Sequence, residues 1–369
     1  MDKLGSKTLD LNRVPGAESK IVKPESQTKK TGKTLKTRDK VTLEKTETAK
    51  PKGNPELASA VKNALTENPD AGQTTFEYRG KDRKVTITSP GKSETIARED
   101  IESGKLQGRD FSDSEMNGAD FHNGRLDKTN FNGANLSNSD FSGSALKGSH
   151  FKYAKLYEAK LPNADLTEAR VDRADLQNAD LNGANLTETY FGSSNLRGAD
   201  LRNVKAQKGY FLFSDMRETN WKGGDFSGAN FDGTHLEGKD LREITLFSKG
   251  TDKALSLEFT RLQGADLSGL DLSKPKKVRF KGTEFDQANL RNADLSGQKL
   301  SSSSFKGADL RGVNFRGCNL QFCDFTGAKL DGADFKGVKL DFADLKGVDL
   351  SGVKHLPLGL KVKSKLGLQ

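Results

Sequence analysis

A large apolar residue returns at every fifth position through most of this chain, a period that neither a regular helix nor a flat strand can use. In the 369-residue sequence, Ile101, Leu106, Phe111, Met116 and Phe121 open a series that reaches Leu246 in 30 steps, weakened only at Ala206. The residue two before each apolar one is usually small, as at Ala119, Ala134, Ala154 and Ala164. Asp or Asn often lies between them, and Gly commonly precedes the small residue. One large and one small side chain per step suit a narrow, repetitive core. A large globular core would be hard to assemble from 33% apolar residues with 38 glycines.

The period breaks twice. Phe247 to Glu258 leaves the pattern, which returns at Leu262, Leu267 and Leu272. Ser273 to Arg279, with Pro275 and three lysines, then shifts the phase by three, and a last series of 15 steps runs from Phe280 to Leu350. Both breaks are expected to be loops on an otherwise continuous rod. The inserted loop is placed at 247–261 and the second break at 273–279, between repeat arrays at 101–246 and 262–350.

The run Ala174-Asp175-Leu176-Gln177-Asn178-Ala179-Asp180-Leu181-Asn182-Gly183-Ala184-Asn185-Leu186 resembles the A(D/N)LXX signature of the pentapeptide-repeat family. The resemblance covers roughly residues 101 to 350. It implies an all-β solenoid, a right-handed quadrilateral parallel β-helix with four pentapeptides per coil. The central Leu or Phe and the preceding small residue would point inward and the other three positions would face water. Coils about 4.8 Å apart would satisfy one another's backbone groups as stacked strands do.

Residues 1–52 are rich in Lys, Thr, Ser and Pro and hold no aromatic residue, so this basic tail is expected to be disordered. It carries +7 of the formal net charge of +9, and four lysines at the other end (Lys354, Lys361, Lys363, Lys365, in a basic tail at 351–369) more than account for the remaining +2. The body is close to neutral. Residues 53–100 read as a small α+β cap. Asn54 and Pro55 start a helix whose face is Leu57, Val61, Ala64 and Leu65, and Pro69 ends it. Phe76, Tyr78, Val85 and Ile87 then alternate around Gly80-Lys81-Asp82 as a hairpin. Its task would be to cover the first coil, whose strand edges are otherwise unpaired. No apolar run approaches the ~18 residues of a membrane helix, and the first 30 residues lack the apolar core of a secretory signal, so a soluble chain is expected.

Catalytic groupings are scarce. His122, His150 and His235 fall at outward positions, and all four histidines, His355 included, are far apart in sequence and read as surface residues. Cys318 and Cys323 take the small inward position and read as buried thiols, in poor zinc spacing. No cofactor, metal or small-molecule substrate is called for. Departures from the outward-polar rule are more telling. Residues 20 apart should stack, which pairs Tyr190 with Tyr210 and Phe322 with Phe342, and Leu212 and Phe213 add apolar side chains near the first pair. Either these are partner-binding patches, or they are ladders that stabilise coil stacking or lie under a terminal segment. Phe247, Leu255 and Leu257 on the inserted segment complete the candidates, and the basic segment Lys274 to Arg279 is a turn or an anion contact.

Three functions compete. The first is a non-catalytic protein-interaction scaffold, its polar N-terminus and repeat array similar to pentapeptide-repeat effectors of pathogens. Such a chain would reside in the bacterial cytoplasm or be delivered into a host cell by a specialised secretion system. The second is a DNA-mimicking protein that binds topoisomerase (gyrase), as the quinolone-resistance members of the family do. Mimicry needs repeated negative charge, yet residues 101–246 hold 22 Asp/Glu against 18 Lys/Arg, and Arg202, Lys222 and Arg242 should form their own column. Nucleic acid itself is not an expected partner. The third, an enzyme, has only 19 residues after Leu350 in which to place a catalytic lobe.

Overall fold

In a computed structural model, residues 75–79, 82–89, 92–273 and 278–357 are described. The repeat forms a solenoid of parallel bridges, which from Asp110↔Asn130 to Asp225↔Thr245 join residues 20 apart. Four five-residue steps therefore make one coil.

One step shows why the sequence is written as it is. The inward Phe141 donates its N–H to the Lys160 carbonyl of the next coil at 2.7 Å, and Asp140 donates to Ala119 of the previous one at 2.8 Å. Ser144 N–H returns to the Phe141 carbonyl at 3.0 Å, closing a turn whose third residue, Gly143, has φ 67°. That is a type II turn, which requires positive φ there. Gly143 N–H finds Pro162 in the next coil at 2.9 Å. Only Ser142 N–H is left, and the Asp140 carboxylate accepts it at 2.9 Å. The Asp or Asn of the motif thus satisfies the one amide that the ladder cannot.

Four inward columns fill the interior. Taking one coil, Phe151 belongs to face one, Leu156 to face two, Leu161 to face three and Leu166 to face four; all are buried. On face one Phe131 and Phe151 stack at 5.0 Å between ring centroids, and on face three Phe121 and Phe141 do the same. Small inward positions that carry hydroxyls are satisfied internally: Ser144 Oγ donates to the Phe121 carbonyl and Ser149 Oγ to that of Leu126.

The phase breaks are insertions of defined size. Asn230 pairs with Ser256 and His235 with Arg261, an offset of 26, while Arg261 pairs with Glu284, an offset of 23. Six and then three extra residues are therefore accommodated, both at the corner where face four passes to face one. This corrects the placement of a loop over 247–261. Strand β4 (Leu255–Ser256) pairs in parallel with β5 (Val278–Arg279), so residues 255–261 and 278–279 belong to the array. The reason is phase: Leu257 is in step with Leu262, but the six-residue insertion displaces it by one from the earlier series. Face three also bends into a 3-10 turn at Leu241–Glu243.

At the N-terminal end β1 (Thr75–Arg79) and β2 (Asp82–Ser89) form the expected hairpin, with Phe76 opposite Val85. A third strand, β3 (Lys92–Ala97), pairs with β2 and leads into helix α1 (Arg98–Ser103). Helix α1, rather than a repeat step, holds the buried Ile101, whose carbonyl accepts Arg125 N–H at 2.9 Å, so this short helix covers the first coil. The expected helix at 54–69 and the tail at 1–52 lie outside the described residues. At the other end the array runs one step past Leu350, for Lys354 pairs with Asp334 and Leu356 is buried. Leu340, Leu345 and Leu350 of this last coil are only half-buried. Among the described residues no helix is long and apolar enough to cross a membrane.

Candidate functional site

Each turn places its third residue at a corner of the coil with positive φ. Gly and Asn hold most of these positions, as the left-handed conformation favours. Five are aromatic: Tyr153 (φ 62°), Phe213 (55°), Phe259 (56°), Phe322 (62°) and Phe342 (61°). With the offsets of 26 and 23 taken into account, all five fall in one column, 113, 133, 153, 173, 193, 213, 233, 259, 282, 302, 322 and 342, at the corner between faces one and two. Among the described residues the other three corners carry no Phe, Tyr or Trp with positive φ.

These rings are 51% (Tyr153), 66%, 56%, 59% and 80% exposed, and apart from Tyr157 they are all the exposed large apolar side chains of the described residues from 95 onward. Each costs about 1–2 kcal/mol of backbone strain that glycine would avoid, and exposes an apolar ring as well. The axial arrangement is regular. A Cβ added to Gly233 would strike the Phe213 ring, and one on Gly282 the Phe259 ring, so each ring leans over the glycine of the following coil. Phe322 and Phe342 stack at 5.0 Å with 7° between planes.

The expected patches are thus parts of one face. Tyr190 and Tyr210 stand on face one and stack at 4.3 Å and 6°. They are half-buried, and cations close both ends of the pair. The Arg170 guanidinium lies 5.4 Å from the Tyr190 ring, and Lys253 Nζ is 3.5 Å from the Tyr210 ring centroid and 3.2 Å from the Lys208 carbonyl. Burial in this stack pushes the Tyr190 hydroxyl pKa up and the Lys253 ammonium pKa down. The pair thus forms a stacked ladder, with Lys253 of the inserted segment over one end. Leu212 is half-buried beside the exposed Phe213, and Phe247 packs partly against the core. Leu255 and Leu257 are 0% and 1% exposed, which removes them from any surface. Phe259 and Tyr153 were not singled out from sequence. The signal that finds Phe259 is the insertion length: subtracting nine from 322 and 342 and six from 259 places all three in step with 213.

Among the described residues no other cluster assembles reactive chemistry. Cys318 Sγ and Cys323 Sγ point inward to the Leu295 and Leu300 carbonyls, and burial pushes both thiols up to about 12. His122 lies against Asp120, His235 against Glu237, and His355 against Asp334, while no cluster among the described residues could hold a metal ion. On face three Asp200, Asp240, Asp266 and Asp309 are answered by neighbouring arginines. Arg202, Arg242 and Arg311 hold Asp200, Asp240 and Asp309 below the usual carboxylate range through side-chain hydrogen bonds. Arg279 sits 3.7 Å from Asp232 and 3.5 Å from Glu258, while residues 274–277 lie outside the described residues.

Comparison with known proteins follows the same repeat. The family model for "Pentapeptide repeats (8 copies)" matches residues 100–133, 129–167, 169–205 and 211–246, and that for "Pentapeptide repeat region" matches 270–345, together more than half of the chain. The chain belongs to the pentapeptide-repeat family. Among solved members it is similar to HetL of Nostoc sp. strain PCC 7120, a protein involved in heterocyst differentiation regulation (26% identity, 68% of this chain and 93% of HetL, TM-score 0.21). It is also similar to full-length QnrB1, a plasmid-mediated fluoroquinolone resistance protein (20% identity, 62% and 97%, TM-score 0.26). A third likeness is to a thylakoid-lumen pentapeptide-repeat protein of Arabidopsis thaliana (26% identity, 36% and 74%, TM-score 0.16). With TM-scores this low, membership of the family rests on the repeats themselves. No curated protein matches the sequence.

Proposed function

We propose that this pentapeptide-repeat protein is a non-catalytic binding scaffold that docks a protein partner along face one. The observation that carries the reading is the confinement of five exposed, positive-φ aromatics to a single corner column. Core packing does not need them there, since the same corner accepts Gly233, Gly282 and Ser302. Exposed aromatic rings on a rigid support are the side chains that dominate protein interfaces. The inward columns of the described array are filled by buried side chains, which supports a reading in which the exterior does the work, and the right-handed coil is the one that the family implies. Delivery of the chain into a host cell as an effector would rest on residues 1–52, outside the described residues, and the scaffold reading does not depend on it. A duplex mimic would need unanswered carboxylates, whereas Asp200, Asp240, Asp266 and Asp309 of face three are matched by arginines, so the proposal is not extended to a topoisomerase.

The experiment compares capture of partners by the intact chain, by a Phe213→Ser/Phe259→Ser variant and by an Arg202→Ser/Lys222→Ser variant on face three. The reading expects the same partner to be lost with the first variant and kept with the second. Retention of every captured partner by the face-one variant would reject it.

A further inference from the structure

Beside the Tyr153 end of the aromatic column, face one carries an open pocket of about 300 Å³ lined by Asn132, His150, Lys152, Arg170, Asp172 and Arg173. It draws on three successive coils: Asn130 bridges to His150 and His150 to Arg170, and Lys152 N–H donates to Asn132 Oδ1 at 2.8 Å. Elsewhere on the solenoid arginines are typically matched to carboxylates, as Arg202 is to Asp200 and Arg311 to Asp309. Here they are not. Among the described residues none of His150, Lys152, Arg170 and Arg173 makes an ion pair. Aromatic rings hold the cations instead. The Lys152 ammonium and the Arg173 guanidinium lie 5.1 Å and 5.5 Å from the Tyr153 ring centroid, Arg173 also donates to the Tyr153 hydroxyl, and Arg170 lies over Tyr190. Cation–π contacts of this kind fix position without cancelling charge.

We infer that this pocket receives a phosphoryl group carried on an extended segment of the partner, whose apolar side chains then lie on Leu212, Phe213 and Phe259. Charge selects the ligand. Three fixed cations, Lys152, Arg170 and Arg173, face the single carboxylate of Asp172, leaving the two positive charges that balance a phosphoryl dianion at neutral pH. Guanidinium groups also suit its oxygens geometrically. Spacing selects the rest. Row 170–173 and Phe213 are two coils apart, as are Phe213 and Phe259, which is about 10 Å in each case and about three residues of extended chain. Between pocket and Phe213 the floor is low, formed by Gly192 and Ser193.

The inference rests on face one being the binding face, and the test separates the two. Fluorescent Gly/Ser peptides carrying one phosphoserine, with leucines three and six residues away on either side of it, are titrated against the full chain by polarisation. At least one order is expected to bind. Removing the phosphate, replacing the leucines, or using Arg170→Gln/Arg173→Gln should each weaken binding about tenfold or more, as loss of charge-assisted hydrogen bonds or an apolar anchor does. Inorganic phosphate should compete. Equal binding with and without phosphate, no binding in either order, or a preference for phosphoinositide vesicles over both peptides would overturn the inference. If the arginine variant is without effect while Phe213→Ser/Phe259→Ser still loses its captured partner, the pocket fails and the scaffold reading stands. If Phe213→Ser/Phe259→Ser keeps every partner, the scaffold reading itself fails.

Discussion

Replacing Lys239 by methionine should stabilise the protein at neutral pH and remove part of its alkaline stabilisation. Lys239 occupies a small inward position on face three, where Thr219 and Ala265 stand in the neighbouring coils. It is 8% exposed, donates to the Thr219 carbonyl and lies 5.6 Å from the Trp221 ring centroid. Burial pushes its pKa down to about 8, so the folded state is strained by the charge. Below pH 8 both folded and unfolded chains hold the proton and the full penalty is present. Between about 8 and about 10.5 the unfolded chain holds a proton that the folded one has released, so stability rises with pH; above that range the penalty is gone. Allowing for solvent that still screens the ammonium, the penalty is about 2 kcal/mol. Methionine fills a similar volume without charge. Urea unfolding followed by circular dichroism, at pH 7 and pH 10.5, should show Lys239→Met more stable by about 2 kcal/mol at the lower pH and nearly equal at the higher. Because both chains carry the same cysteines and tyrosines, their titration cancels in the difference. A variant less stable than the parent at pH 7, or a gap that does not change with pH, would refute the reasoning.

Other outcomes follow from the same packing. Leu181→Arg, at a position with no exposure, should cost more than about 4 kcal/mol or abolish folding, read as loss of cooperative thermal unfolding. Phe322→Gly should leave the fold intact and raise stability by up to about 1 kcal/mol through relief of its φ of 62°; a marked fall in the melting temperature would make its stack with Phe342 structural. The thiols of Cys318 and Cys323 should resist a disulfide reagent at pH 8 until denaturant is added. Their folded pKa lies above the unfolded value, so they should lower stability as pH rises beyond about 9; prompt native labelling would contradict their burial.

The repeat was legible because its cause is local. Every step needs one inward Leu or Phe, one small neighbour, one Asp or Asn to accept a spare amide, and one residue able to take positive φ, and each leaves its mark at fixed spacing. The ends were less legible. Ile101 keeps the five-residue phase although it lies in helix α1, because a buried residue on a covering helix meets the same inward column as a repeat residue would. Strand β3 was missed because Lys92–Ala97 has only Ile96 as a large apolar residue. The site was half legible. Phe213, Phe322 and Phe342 could be seen as outward aromatics, but their shared column depends on the number of residues inserted at 247–254 and near 275, and sequence alone does not say which residues leave the ladder. For the same reason Leu255 and Leu257 read as loop residues although they continue the core.

The register across the first insertion tests the account most directly. In a chain with Cys318 and Cys323 replaced by alanine, a Gly233→Cys/Phe259→Cys pair should close a disulfide under mild oxidation, since adjacent coils place the two backbones about 5 Å apart. A Gly233→Cys/Lys253→Cys pair, 20 apart as the uninterrupted repeat would require, should stay reduced, because Lys253 packs against Gly228 and Tyr210 at the other edge of face one. Closure of the second pair and not the first would place Phe259 off the column and dissolve the single binding face.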